Sequence, residues 1–319
     1  MAEQRKFVIA LGGNAIVPMG KKGTYLDQYL ITKSTMNQVA SLTGDGHNVV
    51  LTHGNGPVVG NIFLRNDAGY DKYAIPPMPL FVCGADSQGG LGYMIQQNLQ
   101  NAMTTQGLST PVATVVTQVL VDRQDPAFKN PTKPIGPFYT EDQATELQKE
   151  FGWTIKEDAG RGWRRVVPSP QPRKVIETEV IKAMLEAGIL DIACGGGGVP
   201  VVACEKNRIE GIDAVIDKDL ASELLAELVG ADTFVIITQV EHVCRAFGTP
   251  EQEALHLIDL NETKAMIAAG EFPAGSMGPK MEAAVAFLES GGREVVITDP
   301  VNLLNAIEGR AGTRVVHKK

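Results

Sequence analysis

Cysteine is scarce in this sequence, and its cysteines form no paired motif. The four residues Cys83, Cys194, Cys204 and Cys244 are far apart and include no CxxC pair. Zinc and redox sites usually have cysteine pairs with two residues between them, and disulfide-held secreted domains are much richer in cysteine. We therefore expect reduced thiols, no thiolate metal site and a cytoplasmic protein.

Long apolar runs and basic blocks are also missing. No run approaches the roughly 18 to 20 apolar residues that a membrane-spanning helix requires. The apolar stretch at 7–11 is too short for the apolar segment of a signal peptide. Basic residues are outnumbered by acidic ones, 29 against 37, and they form no cluster. These absences predict a protein that binds neither membranes nor nucleic acid.

The common nucleotide-binding signatures are absent as well. The chain has no GxxxxGK[ST] phosphate loop, no GxGxxG motif opening a βαβ unit and no protein-kinase catalytic loop. Any nucleotide must therefore be bound by another design. The missing dinucleotide motif, with no convincing catalytic His or Tyr pair, also weakens the alternative of an NAD-dependent oxidoreductase.

What the sequence does contain is a regular alternation of apolar runs and helical patterns. Continuous apolar runs, which are typical of strands buried on both faces, occur at 7–11, 49–52, 112–121, 190–193, 234–238 and 294–298. Helical periodicity follows at 175–185 and 220–228. The alternation predicts an α/β fold with a mainly parallel sheet covered by helices on both faces. With 319 residues, one large domain or two intimately joined domains fit.

Residues from about 122 to 172 interrupt this alternation. They contain four prolines within 126–137, a charged helix candidate at 141–150 and both tryptophans, Trp153 and Trp163. A solvated excursion without function is the alternative, but long stiff loops in compact enzymes more often cover a binding site. We predict an inserted subdomain and refer to it as the lid.

Glycines follow three of the predicted strands: Gly12 and Gly13, then Gly54 and Gly56, then the run 195–198. At the carboxyl ends of parallel strands, glycine lets the backbone approach an anion closely. One such turn is weak evidence, whereas three at equivalent positions predict a composite anion pocket. The neighbouring Asn14 and Asn55 either hold an oxyanion or satisfy their own turns, and we expect His53 to be a hydrogen-bonded residue at a strand end.

Three lysines, Lys133, Lys218 and Lys280, stand at turns among glycines, prolines or acids. A single lysine is usually a solvated surface residue. Taken together, their settings predict positive charge for a transferring phosphoryl group. We expect Asp219 to orient the lysines or to help hold a magnesium nucleotide, and Asp217 to cap a helix.

The motifs that carry these residues occur in a characteristic order: ALGGNA at 10–15, HGNGP at 53–57, NPTKPIGPFY at 130–139, RGWRRVVPSP at 161–170, DAVIDKD at 213–219 and GSMGPK at 275–280. In this order the chain resembles carbamate kinase, of the amino acid kinase superfamily, over essentially its whole length. The glycine-asparagine turns and the last lysine belong broadly to the superfamily. The segments around Lys133 and 213–219 point to carbamate kinase.

The resemblance implies a three-layer αβα sandwich around a mostly parallel sheet, with a protruding subdomain. Residues 1–205, including the lid, would bind carbamate or carbamoyl phosphate, and residues 206–319 would bind ATP or ADP. The reaction would be reversible, Mg²⁺-dependent phosphoryl transfer between ATP and carbamate, run toward ATP in arginine fermentation by the arginine deiminase pathway. A homodimer joined through the amino-terminal halves is also implied.

The resemblance assigns roles by position. Lys218 and Lys280 would stabilise the transferring group, Asp219 would orient them, and Lys133 would reach in from the lid. The residues implied to cradle the phosphoryl group and carbamate are Gly12, Gly13, Asn14, Gly54, Asn55 and Gly56. Those implied near the nucleotide are Gln239, Val240, Val243, Gly275, Ser276, Met277 and Gly278. No protein ligand to a metal is implied, since Mg²⁺ would be held through nucleotide phosphates and water.

One departure and two further alternatives accompany this interpretation. After HGNGP the family commonly has Gln-Val-Gly, whereas Val58 stands here in place of the glutamine. A sister enzyme such as an acetylglutamate or uridylate kinase would share the glycines, but it is not expected to carry the Lys133 segment. A nucleotide sensor without catalysis would not need Lys133, Lys218, Asp219 and Lys280 together.

Overall fold

The computed structural model describes residues 4–13, 16, 24–158, 162–273 and 276–318. The helices in these ranges are α1 (Tyr25–Gly44), α2 (Val58–Tyr73), α3 (Leu80–Thr105), α4 (Glu141–Phe151), α5 (Thr178–Glu186), α6 (Lys218–Leu228), α7 (Leu260–Ala268), α8 (Gly278–Glu289) and α9 (Leu303–Ile307). The strands are β1 (Lys6–Leu11), β2 (Asn48–His53), β3 (Val112–Thr114), β4 (Gln118–Val121), β5 (Lys133–Tyr139), β6 (Ile155–Glu157), β7 (Trp163–Val167), β8 (Pro172–Val175), β9 (Leu190–Ile192), β10 (Val199–Ala203), β11 (Ile209–Gly211), β12 (Thr233–Ile237), β13 (Val243–Arg245), β14 (Glu253–Leu255), β15 (Leu257–Asp259), β16 (Glu294–Thr298) and β17 (Thr313–Val316).

The central sheet has the strand order β15-β17-β16-β12-β1-β2-β9-β3. Each neighbouring pair is parallel except β16 with β17. The chain passes from β1 to β2 on one side, and β12 later joins β1 on its other side. In open parallel sheets, ligands bind at the carboxyl ends of strands where the order reverses in this way. The ends of β1, β2 and β12 are therefore the place where the fold favours a binding site.

Helices cover both faces of this sheet. Alternate residues of β1 point to opposite faces, as Val8 packs in one buried cluster and Ile9 in another. The cluster around Ile9 includes residues of α1, α3 and α9, and the cluster around Val8 includes residues of α5, α6, α7 and α8. The predicted α/β class, with three layers around a mainly parallel sheet, is confirmed.

The prediction of one strand at 112–121 is wrong. This run forms two strands, with β3 beside β9 in the central sheet and β4 between β10 and β8 in a second, four-stranded sheet. The chain breaks at Thr117, whose backbone N–H donates to the Gln88 side chain at 2.8 Å and whose carbonyl accepts from it at 3.1 Å. The Thr117 hydroxyl also accepts the backbone N–H of Cys194 at 2.9 Å. These partners are distant in sequence, so apolar composition alone does not reveal the break.

Residues 133–167 contain a small separate sheet with the order β5-β7-β6, which packs with α4. The helix predicted at 141–150 is α4, and it begins with a capping box formed by Thr140 and Gln143. It ends at Gly152, which has a left-handed φ of 66°. This small sheet and α4 lie within the inserted subdomain predicted at about 122–172, and the bounds and the role of that subdomain stay predictions. Within the described ranges, no helix has both the length and the apolar composition needed to cross a membrane.

Candidate active site

A cavity of about 390 Å³ lies at the carboxyl ends of β1 and β2. Its walls come from the loops after these strands, the amino ends of α6 and α8, and the lid strand β5. The predicted site residues that line it are Gly13, Gly54, Asn55, Gly56, Lys133, Lys218, Asp219, Ser276 and Lys280. Asn14 lies outside the described residues. Sequence positions far apart therefore meet in one pocket.

Glycines bring the two loops close to their neighbours. The Gly12 N–H donates to the Ile237 carbonyl at 2.9 Å, and a Cβ on Gly12 would lie 2.5 Å from that oxygen. The Gly54 N–H donates to the Leu11 carbonyl at 2.9 Å, and a Cβ there would lie 3.0 Å from Cδ of Lys218. Only glycine permits both approaches without displacement. Gly12 is buried behind the cavity wall, whereas Gly54 is part of it.

The amino end of α6 places one buried carboxylate between two lysines. Asp217 caps the helix by accepting the backbone N–H of Asp219 at 2.9 Å. Oδ1 of Asp219 bonds to Nζ of Lys218, and Oδ2 bonds to Nζ of Lys280 at 3.0 Å. Lys280 belongs to the first turn of α8. Asp219 therefore joins the starts of two helices at the edge of the cavity.

The two ammonium groups keep Asp219 ionised. Burial alone would raise the pKa of this carboxyl, which is only 3% exposed, but Lys218 and Lys280 outweigh burial and hold the pKa at about 2. The pKa of Lys218 is lowered, mainly by burial, and the like charge of Lys280 adds to this while Asp219 opposes it. Two lysines thus share one negative charge, and the excess positive charge suits an anionic ligand.

The third predicted lysine reaches the same cavity from the lid. Nζ of Lys133, on β5, bonds to Oδ2 of Asp217 at 2.7 Å. The other oxygen of Asp217 accepts the helix N–H described above. Asp217 does cap α6 as expected, but a purely structural role is too narrow, because the same carboxylate also binds the lid lysine inside the cavity.

Arg164 lines the cavity although it was not among the predicted site residues, and Gly196 lines it as part of the predicted glycine run 195–198. Nη2 of Arg164 donates to the Gly136 carbonyl at 3.0 Å, and Nη1 pairs with Asp158 at 3.3 Å. A Cβ on Gly196 would lie 2.8 Å from the Asn55 amide nitrogen. Both residues lie in segments that the sequence analysis names: Arg164 in the RGWRRVVPSP motif at 161–170 and Gly196 in the glycine run at 195–198. The motif alone does not indicate which of the two adjacent arginines, Arg164 or Arg165, faces the cavity.

A second cavity of about 140 Å³ lies beyond the end of β12. The predicted nucleotide residues that line it are Gln239, Val240, Ser276 and Met277, and Cys244 lines it too. Val243 is fully buried in the core and Gly278 is buried at the start of α8, and neither lines this cavity. Gly275 is outside the described residues. Ser276 lines both cavities, so they adjoin there.

His53 ends β2 in a buried position, with Nδ1 3.0 Å from the carbonyl oxygen of Gly54. Burial lowers the pKa of His53 to about 4, although this hydrogen bond opposes the change. The imidazole is therefore neutral at neutral pH. This agrees with the expected hydrogen-bonded histidine at a strand end.

Val58, the departure from the family pattern, is the first residue of α2. It packs against a small buried cluster formed by Ile16, Leu91 and Met94. The valine thus extends an apolar contact at the point where the helix begins, next to the loop at 53–57.

The described part of the chain contains no group of three or more His, Cys, Asp or Glu side chains suited to hold a metal ion. The carboxylates of the main cavity, Asp217 and Asp219, are both paired with lysines.

Comparison with known proteins gives a consistent result along the whole chain. The model of the amino acid kinase family matches residues 5–299. The chain is 49% identical to the carbamate kinase of Pyrococcus furiosus, over 98% of this chain and 99% of that protein. It is 50% identical to the carbamate kinase of Thermococcus kodakarensis, over 98% of this chain and 100% of that protein.

Solved structures show the same similarity. The carbamate kinase from Giardia lamblia bound to AMP-PNP has a TM-score of 0.91 and 43% identity, over 99% of each chain. A second structure of the Giardia enzyme is thiocarbamoylated by disulfiram on a cysteine, and its TM-score is 0.89 with the same identity and coverage.

Proposed function

This chain is a kinase that belongs to the amino acid kinase family, and we propose that it transfers a phosphoryl group reversibly between ATP and carbamate. The names of its relatives at 49–50% identity support this substrate pair. The observation that carries the proposal is the convergence of Lys218, Asp219 and Lys280 with the lid residue Lys133 on one cavity. Simple nucleotide binding would not require all of these charges to face the position of a transferring group.

The proposed chemistry needs positive charge rather than a base. Carbamate is already an anion, so its oxygen can attack phosphorus without losing a proton. This fits the burial of the neutral His53, whose Nδ1 lies against the backbone carbonyl of Gly54. As the phosphoryl group moves, negative charge spreads over its oxygens, and preorganised ammonium groups stabilise it without reorganisation. Lys218 and Lys280 would supply this charge, and Asp219 would hold both in place.

The backbone of the glycine loops would hold the phosphoryl group and carbamate. Gly13, Gly54, Asn55 and Gly56 line the cavity, and Gly12 lets the first loop lie against β12. We assign Asn14 to the same group from its place in the motif. Backbone N–H groups beyond those of Gly12 and Gly54, which already donate to Ile237 and Leu11, would bind the oxyanion without adding a flexible side chain.

The nucleotide would occupy the side of the cavity that leads to Gln239, Val240 and Met277. The AMP-PNP complex of the Giardia relative supports this use of the fold. Mg²⁺ would enter with the nucleotide, neutralising phosphate charge, and would be held by phosphate oxygens and water, as is common for this ion. Since the cavity carboxylates are paired with lysines, the residues present fit this arrangement.

The wider organisation is also part of the proposal. Residues 1–205 would form the carbamoyl phosphate half, including the lid, and residues 206–319 the nucleotide half. We propose a cytoplasmic homodimer that forms ATP from carbamoyl phosphate and ADP, as at the end of the arginine deiminase pathway.

A direct assay tests the substrate assignment. Purified protein is incubated with ADP, Mg²⁺ and carbamoyl phosphate, and ATP is measured with time. Matched reactions offer ATP with acetylglutamate or with UMP. ATP formation from carbamoyl phosphate supports the proposal. Its absence, together with phosphorylation of acetylglutamate or UMP, would move the assignment to a sister enzyme of the same family.

A further inference from the structure

Arg165, on the lid strand β7, packs against both an aromatic ring of the lid and one of helix α2, and the two rings also contact each other. Its guanidinium carbon is 4.5 Å from the ring centre of Phe63 on α2 and 4.4 Å from that of Trp153 in the lid. The two rings are 5.6 Å apart and tilted by 58°. Guanidinium groups are attracted to aromatic faces by charge and by dispersion. We refer to Arg165, Phe63 and Trp153 as the clamp.

Carboxylates outside the lid stabilise the charge of the clamp. Burial lowers the pKa of Arg165, and the neighbouring Asp213 and Asp67 oppose this. Asp67 lies on α2, and Asp213 begins the segment that leads to Lys218. Nη1 of Arg165 is buried without a hydrogen-bond partner among the described residues. Ring stacking and these carboxylates, both dependent on the position of the lid, therefore contribute to holding the guanidinium.

The clamp is connected to Lys133 through the small sheet. In the β5–β7 pair, Arg165 lies opposite Ile135, and Lys133 lies opposite Val167. β5 also touches α2 directly, since a Cβ on Gly60 would lie 2.8 Å from the Gly136 nitrogen. Fastening β7 to α2 therefore also fixes β5, the strand from which Lys133 reaches the cavity.

We propose that Arg165 is a positioning residue that holds the lid in the position where Lys133 serves the reaction. The inference rests on the proposed function, to which it adds how the lid is fastened. Arg165 does not itself line the main cavity. Its effect on the reaction must therefore pass through the lid residues that do, and Lys133 is the one that bonds to Asp217.

The first test compares Arg165→Met with Arg173→Met. Arg173 is exposed on β8, at the base of the lid, and serves as the matched control. Arg165→Met should lower kcat/KM for carbamoyl phosphate about 10- to 100-fold, because small misplacements of a catalytic group cost this much. The dissociation constant for ADP should change less than about twofold, since the nucleotide contacts lie on the other side of the cavity. Equal losses for both substrates would overturn the proposal.

A second variant, Phe63→Leu, removes the ring from the α2 side of the clamp while keeping an apolar side chain. It should reproduce the same difference between the substrates to a smaller degree. Circular dichroism and Tm measurements identify either variant that fails to fold, and the other variant then carries the test. A folded Phe63→Leu variant with unchanged use of carbamoyl phosphate would contradict the clamp.

A double-mutant cycle separates positioning from a general structural role. If Arg165 acts through Lys133, adding Arg165→Met to Lys133→Ala should lower kcat/KM less than about twofold further. If the two losses multiply, Arg165 acts independently of Lys133 and the proposal is wrong.

The clamp can also be tested without measuring the reaction. The experiment then distinguishes an error in the clamp proposal from an error in the proposed function. If the wild type forms no ATP from carbamoyl phosphate, the proposed function fails. Limited proteolysis without substrate then compares cleavage within 122–172. Faster cleavage of Arg165→Met than of Arg173→Met supports the clamp, because the lid opens more often. Equal rates contradict it.

Discussion

The carboxyl ends of the central strands β1, β2 and β12, which we call the sheet edge, and the lid both contribute lysines to one cavity. The two regions hold these lysines differently. Lys218 and Lys280 start helices packed on the central sheet, their side chains are 13% and 14% exposed, and they share the buried Asp219. Lys133 is on a protruding three-stranded sheet, its side chain is 34% exposed, and its partner Asp217 belongs to the other side of the cavity. The first pair is fixed by the core, whereas the third lysine is in place only when the lid is.

The charges of Lys218 and Lys280 are therefore always present at the cavity. The charge of Lys133 is present there only when the lid is in position. The positive charge at the sheet edge is surrounded by buried elements and needs no movement to form. The charge of Lys133 depends on the clamp and on the contact between β5 and α2. We therefore expect the lid to complete the site around the small substrate and to exclude water from it.

Removing charge from the sheet edge should give the largest effect. We expect Lys218→Ala or Lys280→Ala to reduce kcat by roughly 10²-fold or more, comparable to the loss of one preorganised oxyanion donor. ADP affinity should fall much less, because negative charge on the phosphoryl group grows toward the transition state. The measurement is kcat beside the ADP dissociation constant, with exposed Lys174→Ala as control. Near wild-type turnover with an unchanged circular dichroism spectrum would refute the assigned role.

Removing charge from the lid should affect one substrate selectively. Lys133→Ala should lower kcat/KM for carbamoyl phosphate by roughly 10-fold or more, by misplacing the small substrate. ADP binding should be almost unchanged. Because both tryptophans, Trp153 and Trp163, are in the lid, wild-type fluorescence should change when carbamoyl phosphate is added. Weakened ADP binding of the same size would place Lys133 in the nucleotide site and remove the contrast between the two regions.

Cys244 offers a probe that avoids the lid. It lines the smaller cavity, where its thiol lies 3.6 Å from the Gln252 amide. We expect thiol reagents to inhibit the enzyme several-fold by obstructing the nucleotide, and ADP rather than carbamoyl phosphate to protect against modification. Inactivation rates of the wild type, Cys244→Ser and the control Cys204→Ser provide the measurement. Cys244→Ser losing activity as fast as the wild type would mean that another group is modified.

The smallest effect on activity is expected from a buried carboxylate of the sheet that is not paired with a lysine, because it should change stability rather than turnover. Asp191 on β9 is fully buried, and neither oxygen has a hydrogen-bond partner among the described residues. Burial raises its pKa from 3.8 to about 7, and the nearby Ile192 N–H offsets only part of this. Asp219, by contrast, is held at a low pKa by its lysines. The comparison predicts opposite pH behaviour for the two carboxylates.

Proton linkage determines how the contribution of Asp191 to the free energy of unfolding changes with pH. Its raised pKa means that the folded state binds the proton more tightly than the unfolded state, so its stabilising contribution is present at low pH. That contribution is lost between pH 4 and 7, at about 1 kcal/mol per pH unit, and does not change further above pH 7. Asp191→Asn should therefore gain stability relative to the wild type between pH 4 and 8 in urea unfolding. A difference that is constant with pH would disprove this.

Much of the fold could be predicted because buried parallel strands appear in the sequence as continuous apolar runs. The runs at 7–11, 49–52 and 294–298 correspond to β1, β2 and β16. The helical periodicity at 220–228 likewise corresponds to α6. The run at 112–121 does not form one strand, because the break at Thr117 depends on hydrogen bonds with Gln88 and Cys194, which lie in other segments.

The candidate site was predictable to the extent that its residues form local motifs. Glycine loops and the start of α6 are contiguous in sequence, so their positions follow from the order of strands and helices. Val243 and Gly278 are sequence neighbours of residues that line the two cavities, yet Val243 is buried in the core and Gly278 is buried at the start of α8. Arg164 was missed because strand alternation sends it and Arg165 to different surroundings, and a motif does not state which faces the ligand.

The sequence by itself therefore determined the parallel α/β sheet, the glycine loops, the lid and the three lysines, because each depends on composition or spacing within a short segment. Only the tertiary structure decided that Asp219 lies between Lys218 and Lys280, that Asp217 pairs with Lys133, and that Asp191 is buried without a lysine partner among the described residues. Charge pairing acts through space over a few ångströms, and these distances are set by how distant helices and strands pack on the sheet.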